Sequence, residues 1–140
     1  MNNTTRFVVG TIGRVMIALI FFMSAVGNKI PQFSSVVGYM EAKHVPFPAI
    51  ALAGAIGFLI VGSALIVSRY QEAVGAGMLI VFLALASYYF HDFWNVDAKV
   101  DPQKFQSEMI QFLKNTAIAG GLLVLIAQSG AKPNEPPAIT

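Results

Sequence analysis

The stretch that decides the fold is "PAIALAGAIGFLIVGSALIVSRYQEAVGAGMLIVFLALASYYF", residues 48–90. It contains two long apolar runs, residues 48–68 and 73–90, separated only by "RYQE". A helix needs about 17–25 residues to cross the hydrocarbon core of a bilayer, so each run is long enough to do so. Because the connection is so short, the stretch predicts two antiparallel membrane-spanning helices joined as a hairpin.

The composition of the whole chain supports a membrane location. Of its 140 residues, 56% are hydrophobic and only 11% are charged, and the mean hydropathy is +0.66. Soluble domains carry about 25% charged residues. The chain has no cysteine, which excludes disulfides, thiolate metal sites and thiol catalysis. Its basic residues form no stripe that could follow a phosphate backbone, so nucleic acid is not an expected partner.

Two further apolar runs lie outside the hairpin, at residues 7–26 and about 109–127. The first contains Arg14 and leads into "GNKIPQF" without a small-x-small cleavage site, which favours a retained span over a signal peptide. We therefore predict an all-α, integral membrane four-helix bundle forming one transmembrane domain, residues 1–130. The Pro-rich tail, residues 131–140, is predicted to be disordered.

The connections between the spans differ in character. Between the first two spans, apolar residues recur at helical spacing and predict a short interfacial helix: Phe33, Val36, Val37 and Met40. An even number of spans places both termini on one side of the membrane. The segments on that side are the shorter ones and hold the denser Lys and Arg residues, which favours a cytoplasmic location.

Small residues mark the faces on which these helices could pack, because lipid provides no hydrophobic drive for helix association. In the second span the small residues Ala51, Gly54, Ala55 and Gly62 follow one stripe, which also contains Phe58. In the third span we expect the packing positions to be Ala73, Gly77 and Ala84.

Arg14 is the most unusual residue, since it lies about seven residues inside the first span, or roughly 10 Å along a helix. Two interpretations remain open. Arg14 could face the bundle interior and a polar partner, or its long side chain could reach the headgroups. No carboxylate lies inside any predicted span, so no partner can be named.

Six polar residues end or begin spans at one depth on the opposite side of the membrane, and we call them the polar ring: Asn28, Lys29, His91, Asp92, Lys114 and Asn115. The ring could bind a small molecule or an anion, and Arg14 and Trp94 are further candidates for contact with that ligand. Alternatively, these residues are interfacial anchors beside an aromatic belt that includes Trp94. His44 and His91 are weak candidates for a metal or haem, because two histidines without a spacing motif make a poor site. No catalytic residue is indicated.

Three parts of the chain carry a family resemblance: "GRVMIALIFFMSAVGNKI", "VGYMEAKHVPFP", and "HDFWNVD" followed by "QSEMIQFLKNTAIAGGLLVL". They resemble the DoxX family of small membrane proteins. The resemblance implies a four-helix bundle in a bacterial inner membrane, in a family linked to membrane oxidoreductase assemblies and thiosulfate–quinone chemistry. It also marks six residues as family-typical: Arg14, Lys29, His91, Trp94, Lys114 and Asn115. One departure is the uncharged position near residues 57–58, where many members carry a glutamate.

Three functions are compatible with these residues. The first is an accessory, non-catalytic subunit of a larger membrane complex, for example one of redox type, with other membrane proteins and the lipid bilayer as partners. The second is an oxidoreductase component that binds a quinone or small substrate at the polar ring. The third is a small ligand-binding or transport protein. The sequence names no cofactor, and it favours a chain that is not an enzyme on its own.

Overall fold

The computed structural model describes residues 2–130, and these residues form helices and short connections without a β-strand. The chain order is α1 (Asn3–Ser24), continued by a π-helical segment (Ala25–Lys29), then α2 (Phe33–Ala42), α3 (Pro48–Ser68), α4 (Glu72–Phe90), a 3₁₀ turn (Phe93–Asn95) and α5 (Pro102–Ser129). The predicted disordered tail lies outside the described residues.

Four of these helices are long and apolar enough to cross a membrane: α1 with its π-helical extension, α3, α4 and α5. The predicted all-α fold with four membrane-spanning helices is confirmed. The short helix predicted between the first two spans is present as α2. In the bundle, α1 packs on α3, α3 on α4, and α4 on α5.

The α3–α4 hairpin forms around a tight turn and a glycine contact. Arg69 and Gln71 adopt left-handed backbone conformations, with φ of 59° and 46°, so the chain reverses within three residues. Further along, a Cβ atom built on Gly75 would lie 2.8 Å from the carbonyl oxygen of Gly62. Only glycine at these two positions lets the two backbones approach so closely.

The packing face predicted for α4 was wrong. Ala73 and Ala84 are exposed, and a Cβ atom added at Gly77 would meet nothing within 4 Å. Gly75 and Ala76 are buried instead. The error is one of helical phase: a shift of two residues turns the face by about 200° in a helix of 3.6 residues per turn, and α4 is apolar on all sides.

The fourth membrane helix begins earlier than predicted. α5 starts at Pro102, seven residues before residue 109, and the side chain of Asp101 caps it by accepting a hydrogen bond from the Lys104 amide at 2.9 Å. An aspartate cap followed by proline is a strong helix-start signal. The additional two turns bring Glu108 onto α5, where it can face the end of α4.

The buried core runs along the middle of the bundle, with Phe21, Leu59, Leu79 and Leu122 nearly inaccessible. α1 contributes little to it. Most of its apolar side chains remain exposed, and Met16 reaches 68% exposure. In a membrane this face of α1 would contact lipid or another protein.

Candidate functional site

The π-helical segment positions the first residue of the site. A π-helix closes hydrogen bonds over five residues, and the amide of Ile30 donates to the carbonyl of Ala25 at 2.9 Å. This geometry brings residues five apart to the same side of the helix. Lys29 Nζ accordingly donates to Ser24 Oγ at 2.7 Å and lies 5.3 Å from the centroid of the Phe82 ring. The lysine side chain is therefore directed back along the bundle.

Lys29 lines a partly open cavity of about 410 Å³ between α1, α2, α4 and α5. Five of the six polar-ring residues line this cavity: Asn28, Lys29, His91, Lys114 and Asn115. Its remaining wall is largely apolar and aromatic, with Phe21, Tyr39, Phe82, Phe90 and Ile118. One end of the cavity thus has hydrogen-bond donors and positive charge, whereas the rest suits a hydrocarbon or ring.

Asn115 is the most buried member of the ring. Its Nδ2 donates a hydrogen bond to Ser87 Oγ at 3.1 Å, which joins α5 to α4. Both side chains are buried, with 9% and 8% exposure. Because an unpaired amide in this position would be costly, this bond fixes the cavity wall.

His91 ends α4 and is held by α5. Its Nδ1 lies 2.9 Å from Glu108 Oε2, so that the carboxylate accepts a hydrogen bond from the ring when Nδ1 is protonated. Glu108 thereby fixes the orientation of the imidazole at the edge of the cavity. Glu108 lies just before the fourth span predicted from the sequence, about residues 109–127, and was not predicted as a site residue.

Asp92 does not line the cavity with the other five polar-ring residues. Its Oδ1 accepts a hydrogen bond from Lys43 Nζ at 2.9 Å, and its Oδ2 accepts one from Asn95 Nδ2 at 3.0 Å. The hydrogen bond to Asp92 raises the pKa of Lys43 above its ordinary value, against the opposing effect of partial burial. This pair ties the end of α2 to the end of α4, as does the stacking of Tyr39 on Phe90 at 5.4 Å.

Trp94 also lies outside the cavity. Its ring packs edge-on against Phe112, with 5.9 Å between the centroids, and lines a separate shallow depression between α4 and α5. It is 49% exposed. This position agrees with the aromatic-belt interpretation of the residue.

His44 is exposed in the turn after α2 and does not line the cavity with His91. Within residues 2–130, no group of three or more His, Asp or Glu side chains is arranged to hold a metal ion. The structure therefore does not bring the two histidines together as a ligand pair.

Arg14 has a partner that the sequence analysis missed. Its Nε and Nη2 donate to the two carboxylate oxygens of Glu72 at 2.7 and 3.1 Å, and its Nη1 donates to the carbonyl of Gly10 at 2.9 Å. Both side chains are largely buried, at 11% and 8% exposure. The statement that no span contains a carboxylate was wrong because α4 begins at Glu72, one residue before the predicted start.

This ion pair is separate from the cavity. Arg14 precedes Ser24 on α1 by ten residues, which is about 15 Å along the helix axis, and neither Arg14 nor Glu72 lines the cavity. The pair joins α1 to the start of α4 near the end of the bundle that holds the α3–α4 turn. The polar-ring candidates and Arg14 thus do not form one site.

The fold and the cavity define a small, four-helix membrane-spanning protein with a polar-ended pocket. The DoxX family model matches residues 10–92, more than half of the chain. The chain belongs to the DoxX family. The match ends at Asp92, so Lys114 and Asn115 lie beyond it. No curated protein and no solved structure shows significant similarity to the chain.

Proposed function

We propose that the cavity binds a small amphipathic molecule, a quinone or a substrate of similar build. One observation carries the proposal: polar donors from α1, α4 and α5 converge at one end of a pocket whose other walls are apolar and aromatic. Its volume of about 410 Å³ falls in the range of about 300–1,000 Å³ typical of small-molecule sites. A head group with acceptor atoms would meet Lys29, Asn28 and His91.

The fixed position of these donors supports binding. Ser24 holds the Lys29 ammonium, Glu108 orients His91, and Ser87 holds Asn115. Side chains held in place lose little conformational freedom when a ligand arrives, which improves affinity. The setting we propose is a redox assembly of the bacterial inner membrane, with both termini in the cytoplasm.

The test is a binding titration with decylubiquinone on detergent-purified protein, followed through Trp94, the chain's single tryptophan. We expect saturable quenching, and Lys29→Met should weaken binding by about tenfold or more, because a hydrogen bond to a charged group contributes about 1.5–3 kcal/mol. Lys99→Met is the matched control, since Lys99 is exposed and does not line the cavity. Non-saturable quenching, or equal affinities of both variants, would reject the quinone assignment.

A second candidate is an accessory subunit of a larger membrane complex. It is favoured by α1, where only 11% of the most apolar window is buried, compared with 28% for α3 and α4. A partner helix could cover this face. Co-purification of larger subunits in mild detergent, with absorbance bands of a redox cofactor, would support this role. Isolation of this chain from native membranes in mild detergent without any larger subunit would contradict it.

A further inference from the structure

The cavity has an unbalanced positive charge. Its lining, within the described part of the chain, includes the two lysines Lys29 and Lys114 but no aspartate or glutamate. Three carboxylates elsewhere in the bundle have other partners: Glu72 pairs with Arg14, Asp92 with Lys43 and Glu108 with His91. Lys29 and Lys114 therefore have no carboxylate partner among the residues that line the cavity.

Lys29 shows the imbalance most clearly. The residue is only partly accessible, and its Nζ has the neutral Ser24 hydroxyl as its hydrogen-bond partner and the Phe82 ring nearby. A partly desolvated ammonium gains little from a hydroxyl and a ring compared with what an anion would provide. The site is therefore electrostatically suited to a negatively charged group.

An apolar groove lies next to the cavity and shares three of its residues, Phe82, Ala86 and Phe90. The groove has a volume of about 310 Å³ and runs between α3 and α4 under the end of α2. Gly54 lines it, and a Cβ atom there would meet nothing within 4 Å, so the groove is open at this position. A chain attached to a group in the cavity could pass Phe82 and Phe90 and lie in the groove.

From this placement we propose that the ligand is an anionic amphiphile, whose carboxylate or phosphate head pairs with Lys29 and Lys114 and whose hydrocarbon chain lies in the adjoining groove. This inference rests on the proposed function, a cavity that binds a small amphipathic molecule, and assigns that molecule an anionic head in place of a neutral quinone ring. Charge complementarity selects the head, and the shared wall of Phe82, Ala86 and Phe90 connects the head site to the tail site.

The head is tested with three probes on the detergent-purified full chain, measured by native mass spectrometry: oleate, methyl oleate and inorganic phosphate. We expect oleate to bind at least tenfold more tightly than methyl oleate, which keeps the chain but lacks the charge. Lys29→Met should reduce oleate affinity to that of the ester, whereas Lys29→Arg should retain it. Equal binding of oleate and methyl oleate would overturn the proposal.

The phosphate probe separates a lipid head from a free anion. We expect phosphate alone to bind at least tenfold more weakly than oleate. Phosphate binding as tight as that of oleate would overturn the amphiphile in favour of a soluble anion. If oleate, methyl oleate and decylubiquinone all fail to bind, the proposed function is contradicted. If only the neutral probes bind, the anionic head is contradicted, but the proposed function is still supported.

The tail is tested with Gly54→Leu, which places a large side chain in the groove. Oleate affinity should fall at least tenfold while the helical circular dichroism is unchanged. Ala53→Leu is the matched control, because Ala53 is exposed and lies outside the groove lining. Equal oleate affinity of the two variants would overturn the assignment of the groove to the chain. Because Gly54 is far in sequence from Lys29, the Gly54→Leu experiment still tests the proposal if the lysine variants fail to fold.

Discussion

The buried pair of Arg14 and Glu72 gives the sharpest stability prediction. Arg14 uses two nitrogens on the carboxylate and a third on the Gly10 carbonyl, and the two side chains are only 11% and 8% exposed. Replacing Arg14 with methionine would leave the Glu72 carboxylate buried without a cation. Breaking a buried pair by removing one partner costs about 3–5 kcal/mol of the free energy of unfolding.

Replacing both partners should cost much less. Arg14→Met combined with Glu72→Leu removes both charges and leaves apolar groups of similar size, a change that is often close to neutral. The double variant should therefore be more stable than either single variant, which gives a large coupling energy in a double-mutant cycle. The comparison separates the cost of an orphaned charge from the cost of lost packing.

The assay is unfolding in mixed dodecyl sulfate and mild-detergent micelles, followed by circular dichroism. Arg6→Met serves as the control because Arg6 is exposed near the start of α1, and its unfolding midpoint should match that of the wild type. The reasoning is refuted if Arg14→Met costs less than about 1 kcal/mol, the usual value of an exposed pair. Additive effects in the double variant would also refute it.

Two further predictions concern packing and pH. Gly75→Ala should destabilise the bundle by about 1–3 kcal/mol, because its Cβ would lie 2.8 Å from the Gly62 carbonyl oxygen. Gly77→Ala is the control and should be neutral or slightly stabilising, since alanine is the better helix former; equal unfolding midpoints of the two variants would contradict the close α3–α4 contact at Gly75. The raised pKa of Lys43 means that its bond to Asp92 stabilises the fold fully below the unfolded lysine pKa of about 10.4 and is lost as pH rises through the folded pKa. The stability difference between wild type and Lys43→Met should hence be constant from about pH 5, where Asp92 is ionised, to about pH 10 and then shrink. A difference that grows between about pH 9 and pH 11 would disprove this.

The membrane-spanning helices were predictable because hydrophobic run length is a local property of the sequence. Residues 48–90 already contain the hairpin, and α3 occupies Pro48–Ser68. The rotation of each helix was harder to predict. α4 is apolar on all sides, so no polar face distinguishes Gly75 from Gly77, and only contact with α3 decides between them.

The sequence could predict which residues of the candidate site lie at the same membrane depth. Helix ends on one side of a bundle lie near one another, which is why five ring residues line one cavity. Depth does not determine pairing. Asp92 pairs with Lys43 at the end of α2, and His91 pairs with Glu108 on α5. Both contacts depend on how the connections between the helices fold back onto the bundle.

The contact between Lys29 and Ser24 had no usable sequence signal. Residues five apart do not face each other on an α-helix, so the pair becomes visible only with the π-helical turn of Ala25–Lys29. Glu72 was missed for a simpler reason, since a shift of one residue at a helix start decides whether a charge counts as loop or span.

The most direct test of the account is native mass spectrometry of the protein extracted from its own membranes. The account predicts that the wild type retains a small amphipathic molecule of defined mass, that Lys99→Met retains the same molecule, and that folded Lys29→Met has lost it. A wild-type protein without any retained molecule, or a Lys29→Met variant carrying the same molecule in equal amount, would contradict the assignment of the cavity as a binding site.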